Sequence, residues 1–169
     1  ILAGLRKKRT ARAGEIDKGR AFAKGARSHM KQSLSALPEA LRKDEKFTIA
    51  NMIPTCISDD IEAAKAVNRR TLTSYAMLPN YRNYWKEAGY EEEMMAIEAA
   101  VEAGENARLP ALLSDRWLAD TTLFGPATKI RDGLDAWYDA GIGTPILVPS
   151  SAVGNQMKAF EEMFAAFED

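Results

Sequence analysis

Three cations in a row, Arg6, Lys7 and Lys8, follow Gly4 and Leu5 at what reads as the opening of a helix. Backbone N–H groups at a helix start favour negative charge, so these five residues are a candidate phosphate cradle; a solvated basic face explains them equally. Arg27, Ser28 and His29 sit in a second small-residue loop, residues 25–30. Arg27 can face an anion and its two neighbours can donate hydrogen bonds, although a lone histidine also serves structure. Thr55 and Ser150 carry hydroxyls at the ends of two apolar runs. Tyr81, Tyr84, Trp85 and Tyr90 are aromatics with polar tips, suited to a lid over a flat ring or to packing. Cys56 has no basic partner nearby in sequence and reads as a small core residue rather than a nucleophile.

Other templates fail. No Gly-x-Ser-x-Gly elbow, Walker loop or Gly-x-Gly-x-x-Gly run is present. One histidine and one cysteine are too few for a His/Cys metal site, and no metal is expected. A single cysteine also rules out an internal disulfide framework, which fits a reducing cytoplasm.

The elements that must carry these residues read as four strand–helix units. Strands are expected at residues 1–5, 19–24, 47–57 and 144–148. The third is nearly continuous in apolar residues, the pattern of a strand buried on both faces of a parallel sheet. Helices are expected at 6–16, at 31–42 if Pro38 opens a new turn, and from a Ser58 cap to about 77. A helical insertion fills about 80–124, with pieces at 81–88, 91–103 and 114–123. A further helix begins at Gly125-Pro126 and ends at Gly141, and the last runs over 154–167. In that last helix Met157, Phe160, Met163, Phe164 and Phe167 recur at three- and four-residue spacing. Trp85 is expected to hold the insertion together more than the sheet. Alternating strands and helices imply a parallel sheet with right-handed crossovers, in a barrel or an open sheet.

Of 169 residues, 46% are apolar and 28% charged, as in a globular domain, and no apolar run reaches the length of a membrane helix. The net charge of −1 conceals an asymmetry: residues 1–46 hold 13 basic and 5 acidic groups, the rest 10 and 19. A basic half suggests a polyanion partner. The basic residues are not interleaved with stacking aromatics, and a solvated helix face or an anionic cofactor explains them as well, so nucleic acid is not the expected partner. The opening residues are not expected to form a secretory leader. Ile1 is not Met and residues 1–5 read as a strand under way, so a piece of a longer chain is expected.

The run Tyr-Ala-Met-Leu-Pro-Asn-Tyr-Arg-Asn-Tyr-Trp-Lys-Glu-Ala-Gly-Tyr at 75–90 and Thr-Pro-Ile-Leu-Val-Pro-Ser-Ser at 144–151 follow Ala-Gly-Glu-Ile at 13–16. Between them lie Thr-Cys-Ile-Ser-Asp-Asp at 55–60 and Phe-Gly-Pro at 124–126. In that order they resemble the C-terminal half of a luciferase-like monooxygenase. Asp-Lys-Gly-Arg at 17–20 departs from the family's Ala-Asp-Gly and apolar strand. The resemblance implies an α/β fold: parallel (βα) units forming half of a TIM-type barrel, with the helical insertion before the last unit. It implies an oxidoreductase that uses FMN or a deazaflavin coenzyme on a small organic substrate, by hydride transfer or oxygen insertion. Chemistry then belongs at the C-terminal ends of the strands. Gly4, Leu5, Arg6, Lys7 and Lys8 would meet the cofactor, and Arg27, Ser28, His29, Thr55, Tyr81, Trp85 and Ser150 the substrate; no catalytic residue is singled out. With half the cofactor walls absent, this chain alone is expected to bind flavin weakly or not at all. A non-catalytic half-barrel that self-associates is the alternative, and a basic polyanion-binding module the third reading.

Overall fold

The computed structural model describes residues 2–3 and 18–168. Five strands form one sheet: β1 (Leu2–Ala3), β2 (Gly19–Ala23), β3 (Thr48–Ile57), β4 (Leu123–Gly125) and β5 (Thr144–Ser150). Every pairing is parallel. β3 is the hub. Ala50 is in register with Ala21 of β2 and with Thr144 of β5, so these strands lie on opposite edges. Cys56 is in register with Phe124 of β4 and Ser150 of β5, which puts β4 on β2's side, beyond the tip of β2. The full path is therefore β1-β2-β3-β5, with β4 as a short cap strand. Pro54 lies between the last β2 pair at Met52 and the first β4 pair at Thr55, an interruption that suits a residue without an N–H. The sheet does not close: half of a parallel (βα) barrel is present, with a helical insertion before the last unit.

The expected strands at 19–24, 47–57 and 144–148 appear with shifts of one or two residues. The expected helix at 6–16 lies outside the described residues. Two readings need correction. Residues 114–123 were expected to be helical throughout, but Leu123 opens β4, because its chain pairs with Thr55 at the tip of β3. Three residues are too short to show a strand period. Ser58 was expected to cap the helix after β3. Asp60 does so, accepting from Ala63 N at 3.0 Å, while Ser58 Oγ accepts from Asp60 N at 3.1 Å. Ser58 thus shapes the turn before the cap.

The helices are α1 (Met30–Leu34), α2 (Glu39–Arg42), α3 (Ile61–Ala76), α4 (Pro79–Glu87), α5 (Glu91–Glu102), α6 (Leu109–Leu112), α7 (Asp115–Thr121), α8 (Ala127–Asp139) and α9 (Gln156–Ala165). Pro38 separates α1 from α2 and caps the second, since a proline ring cannot continue a helix. Pro79 opens α4 at its first turn, where no intrahelical donor is needed. Gly141 follows α8 at φ +98, the left-handed exit foreseen for it. Phe22, Ile49, Ile53 and Leu123 from the sheet share one core with Ala64 and Leu72 of α3, Trp85 of α4, Trp117 of α7 and Trp137 of α8. No helix among the described residues is long and apolar enough to cross a membrane.

Candidate functional site

Parallel strands direct all their carboxyl ends to one rim, where βα loops carry chemistry in barrels. At the end of β2 the chain leaves the sheet through Lys24, at φ +61, a conformation few side-chain-bearing residues adopt. Lys24, Gly25, Ala26 and Ser28 are then each fixed by a distant group. Lys24 N donates to Met52 O at 3.1 Å, and Lys24 O accepts from Trp85 Nε1 at 3.2 Å. Gly25 N donates to Asn51 Oδ1 at 3.1 Å and Ala26 N to Tyr84 Oη at 3.0 Å. Ser28 gives two bonds to Asp120, from N to Oδ1 at 2.8 Å and from Oγ to Oδ2 at 2.6 Å. Tyr90 Oη adds a third to Asp120 Oδ2 at 2.8 Å.

Asp120 is thus a buried carboxylate joining three elements: the loop after β2, the start of α5 and α7. Hydrogen bonds to a charged acceptor are among the stronger kind. Burial, followed by the Asp120 carboxylate, pushes the Tyr90 hydroxyl well above its usual range, so it stays a donor. The Arg116 guanidinium lies 4.8 Å from the Tyr90 ring centre, compensating charge nearby. The Lys24 ammonium lies 5.3 Å from the ring centre of Tyr75, and burial lowers its pKa.

Beside this junction is an open cleft of about 330 Å³, lined by Arg27, Ser28, Lys31, Asp120, Ala136, Asp139 and Ala140. It lies between the start of α1 and the last turn of α8; none of its lining residues comes from a strand. Two cations face two carboxylates across it. Such a cleft suits a ligand carrying both signs, or an anion held against Arg27 and Lys31. The N–H groups of Gly25, Ala26 and Ser28 are already engaged, so an anion there would depend chiefly on the Arg27 and Lys31 side chains.

Of the residues singled out in sequence, Arg27 and Ser28 meet in the cleft. His29 is buried behind them, its ring edge-on to Tyr84 with centres 5.7 Å apart. Thr55 is buried, and its hydroxyl donates to Ile53 O at 3.0 Å. Tyr81 is half-buried between Tyr75 and Trp85, at ring distances of 5.1 and 5.5 Å. Trp85 is buried, edge-on to Trp117 at 4.8 Å. The aromatic group Tyr84, Trp85 and Tyr90 is therefore core, and its polar tips hold backbone or carboxylate. Ser150 ends β5, half-buried and away from the cleft. Gly4, Leu5, Arg6, Lys7 and Lys8 lie outside the described residues. Cys56 is buried, and burial, with Glu162 adding to it, pushes its thiol up to about 11, which leaves no reactive thiolate at neutral pH. No group of three or more His, Cys, Asp or Glu among the described residues can hold a metal ion.

Asp120 was missed in the sequence. Its signal was there: it sits three residues after Trp117, on the buried side of α7 with Leu118 and Thr121. A carboxylate on an apolar helical face needs a partner.

This fold and rim define a class, half-barrels of parallel (βα) units. The family model described as luciferase-like monooxygenase matches residues 1–144, and the chain belongs to that family. No curated protein sequence matches it. Among solved structures, it is similar to the coenzyme F420-dependent tetrahydromethanopterin reductase from Methanopyrus kandleri. The TM-score is 0.74 at 16% identity, over 98% of this chain and 50% of that one. It is also similar to an F420-dependent secondary alcohol dehydrogenase in complex with an F420-acetone adduct. That TM-score is 0.62 at 16% identity, over 99% of this chain and 48% of that one. At this identity the likeness shows the fold, and the chain spans about half the length of these neighbours.

Proposed function

We propose that this chain is the C-terminal half of a flavin- or deazaflavin-dependent oxidoreductase acting on a small organic substrate in the cytoplasm. The observation that carries the reading is the family match over residues 1–144, on a sheet whose strands all run to one rim. Both structural neighbours are named for an F420 dependence, which favours a deazaflavin, with FMN as the second candidate. When bound, such a ring supplies hydride transfer, or oxygen activation in its reduced state.

The described residues fit one side of such a group. Arg27 and Lys31 offer cationic donors to an anionic part of the ligand, and Ser28 a hydroxyl already oriented by Asp120. Gly4, Leu5, Arg6, Lys7 and Lys8 are proposed to add backbone and cationic donors for a phosphate. The cleft is open, so this half contributes orientation and charge, while exclusion of water falls to walls it does not contain.

Titrating the purified chain with coenzyme F420 and with FMN, followed by fluorescence, tests the reading. Saturable binding no tighter than about 10 µM, weakened at least about tenfold by Arg27→Ala, is the expected result. Tight one-to-one binding would mean that the site is complete within this chain. No saturable signal up to about 1 mM of either cofactor would mean that this half by itself holds neither.

The second reading, a half-barrel that self-associates without catalysis, is favoured by one observation. Its last helix turns large apolar side chains to solvent.

A further inference from the structure

Lys24 is the first residue beyond the carboxyl end of β2, the end of a strand where barrels carry chemistry. Among the described residues it is the one non-glycine at positive φ, held there by its N–H on Met52 O and its carbonyl under Trp85 Nε1. The residue is 3% exposed, and its ammonium makes no hydrogen bond or ion pair among the described residues. It meets a wall of rings instead. The Tyr75 ring centre lies 5.3 Å away, Tyr81 packs on Tyr75, and Trp85 on Tyr81. Two other buried cations are treated differently. Lys65, 9% exposed, reaches Glu62 at 2.6 Å and Asp115 at 2.7 Å. Arg82, 5% exposed, donates to the carbonyls of Ala76 and Met77. A charge buried without a partner is costly, and such groups gather where the uncharged form has work to do. Burial lowers the Lys24 pKa, so an amine with an available lone pair is reached nearer neutrality. Nζ is not sealed either: side-chain atoms cut off from both solvent and partner include Asn51 Nδ2 and Trp117 Nε1, but not Lys24 Nζ.

We infer that Lys24 is a covalent site for a small aldehyde, which its amine takes up as an imine beside the Tyr75 ring. Nζ first releases a proton to water. Its lone pair then bonds to the carbonyl carbon, and the π pair of the C=O bond moves to oxygen, which takes up a proton as nitrogen gives one up. The hydroxyl of this carbinolamine leaves with a proton as water, and loss of the last N–H proton gives the imine. Amine and aldehyde thus become imine and water, with no oxidant, reductant or metal in the step. An anion is the other ligand an ammonium attracts. It would need further donors, and those nearby are committed: Gly25 N to Asn51 Oδ1, Ala26 N to Tyr84 Oη and Trp85 Nε1 to Lys24 O. A neutral aldehyde needs no such set, and its apolar tail suits the rings.

Acetaldehyde with cyanoborohydride, added to the folded chain at neutral pH and followed by peptide mass spectrometry, tests the site. The reductant fixes each imine as an N-ethyl group. Each unit by which an amine's pKa falls raises its uncharged fraction about tenfold at neutral pH. Lys24 is therefore expected to be labelled at least about fivefold faster than the exposed Lys31 and Lys46, a lead that disappears in the unfolded chain. Lys24→Arg should lose the fast phase with unchanged circular dichroism; assignment of the fast phase to the Lys24 peptide in the unaltered chain stands without that variant. Lys24 left unlabelled in the folded chain, or labelled no faster than Lys31 and Lys46, overturns the site. Slow labelling together with a saturable response to acetate would overturn it in favour of an anion. No cofactor enters the measurement, so its failure leaves the oxidoreductase reading standing, and a failed cofactor titration leaves this site standing.

Discussion

The loop after β2 and the flank formed by β5 and α9 are treated oppositely by the same chain. At the loop, groups of Lys24, Gly25, Ala26 and Ser28 are engaged by Met52, Asn51, Tyr84, Trp85 and Asp120, and the rings of Tyr84 and Trp85 behind them are buried. At the flank, one strand edge is open among the described residues, and Met157, Phe160 and Phe164 of α9, with Phe167 just after it, are exposed. The difference teaches where this fold ends its own business. A group whose partner lies within the chain is pinned. The far flank keeps apolar surface that no described residue covers.

The comparison can be broken at the pinned side. Trp85→Ala removes a buried indole that packs on Trp117 and donates to Lys24 O. It should cost about 3–5 kcal/mol in urea unfolding, as one cooperative transition. Because the indole bonds the end of β2, the loss should reach the sheet as well as the insertion; separate melting of α4 to α7 would show that the junction does not couple them. Asp120→Ala should cost less, about 1–3 kcal/mol in thermal or urea unfolding, by leaving the buried Tyr90 hydroxyl without its acceptor and removing two bonds from Ser28. Asp120→Asn should recover part of it; a neutral Asp120→Ala would mean that water replaces the carboxylate.

The smallest effect concerns pH. Burial lowers the Lys24 pKa from its usual 10.5. Between the lowered value and 10.5 the unfolded chain binds more protons than the folded one, so stability from this group rises with pH across that window. Below the window the penalty is constant. Lys24→Met should flatten that alkaline rise in denaturation profiles, and an unchanged slope would mean that the ammonium reaches solvent.

Much of the scaffold could be read locally. The apolar run at 47–57 became β3, Pro79 and Gly141 set helix ends, and the α9 stripe was visible as a period. The site was less legible. Arg27 and Ser28 stand out in the sequence as a cation and a hydroxyl in a small-residue loop, and both line the cleft. Aromatic type alone does not tell a pocket wall from packing: Trp85 is buried against Trp117, and Tyr81 is half-buried beside it. β4 was hidden because three residues carry no period and its strand character comes from β3.

Sequence alone determined what depends on residues a few positions apart: helical faces, the buried central strand, the breaks imposed by proline and glycine, and the uneven charge of the two ends. Tertiary structure decided what depends on pairs brought together across the chain. Ser28 meets Asp120 over 92 positions, and no period links them. It also decided which apolar faces are covered, since periodicity marks a face as apolar and only the packed neighbours determine whether it meets protein or water.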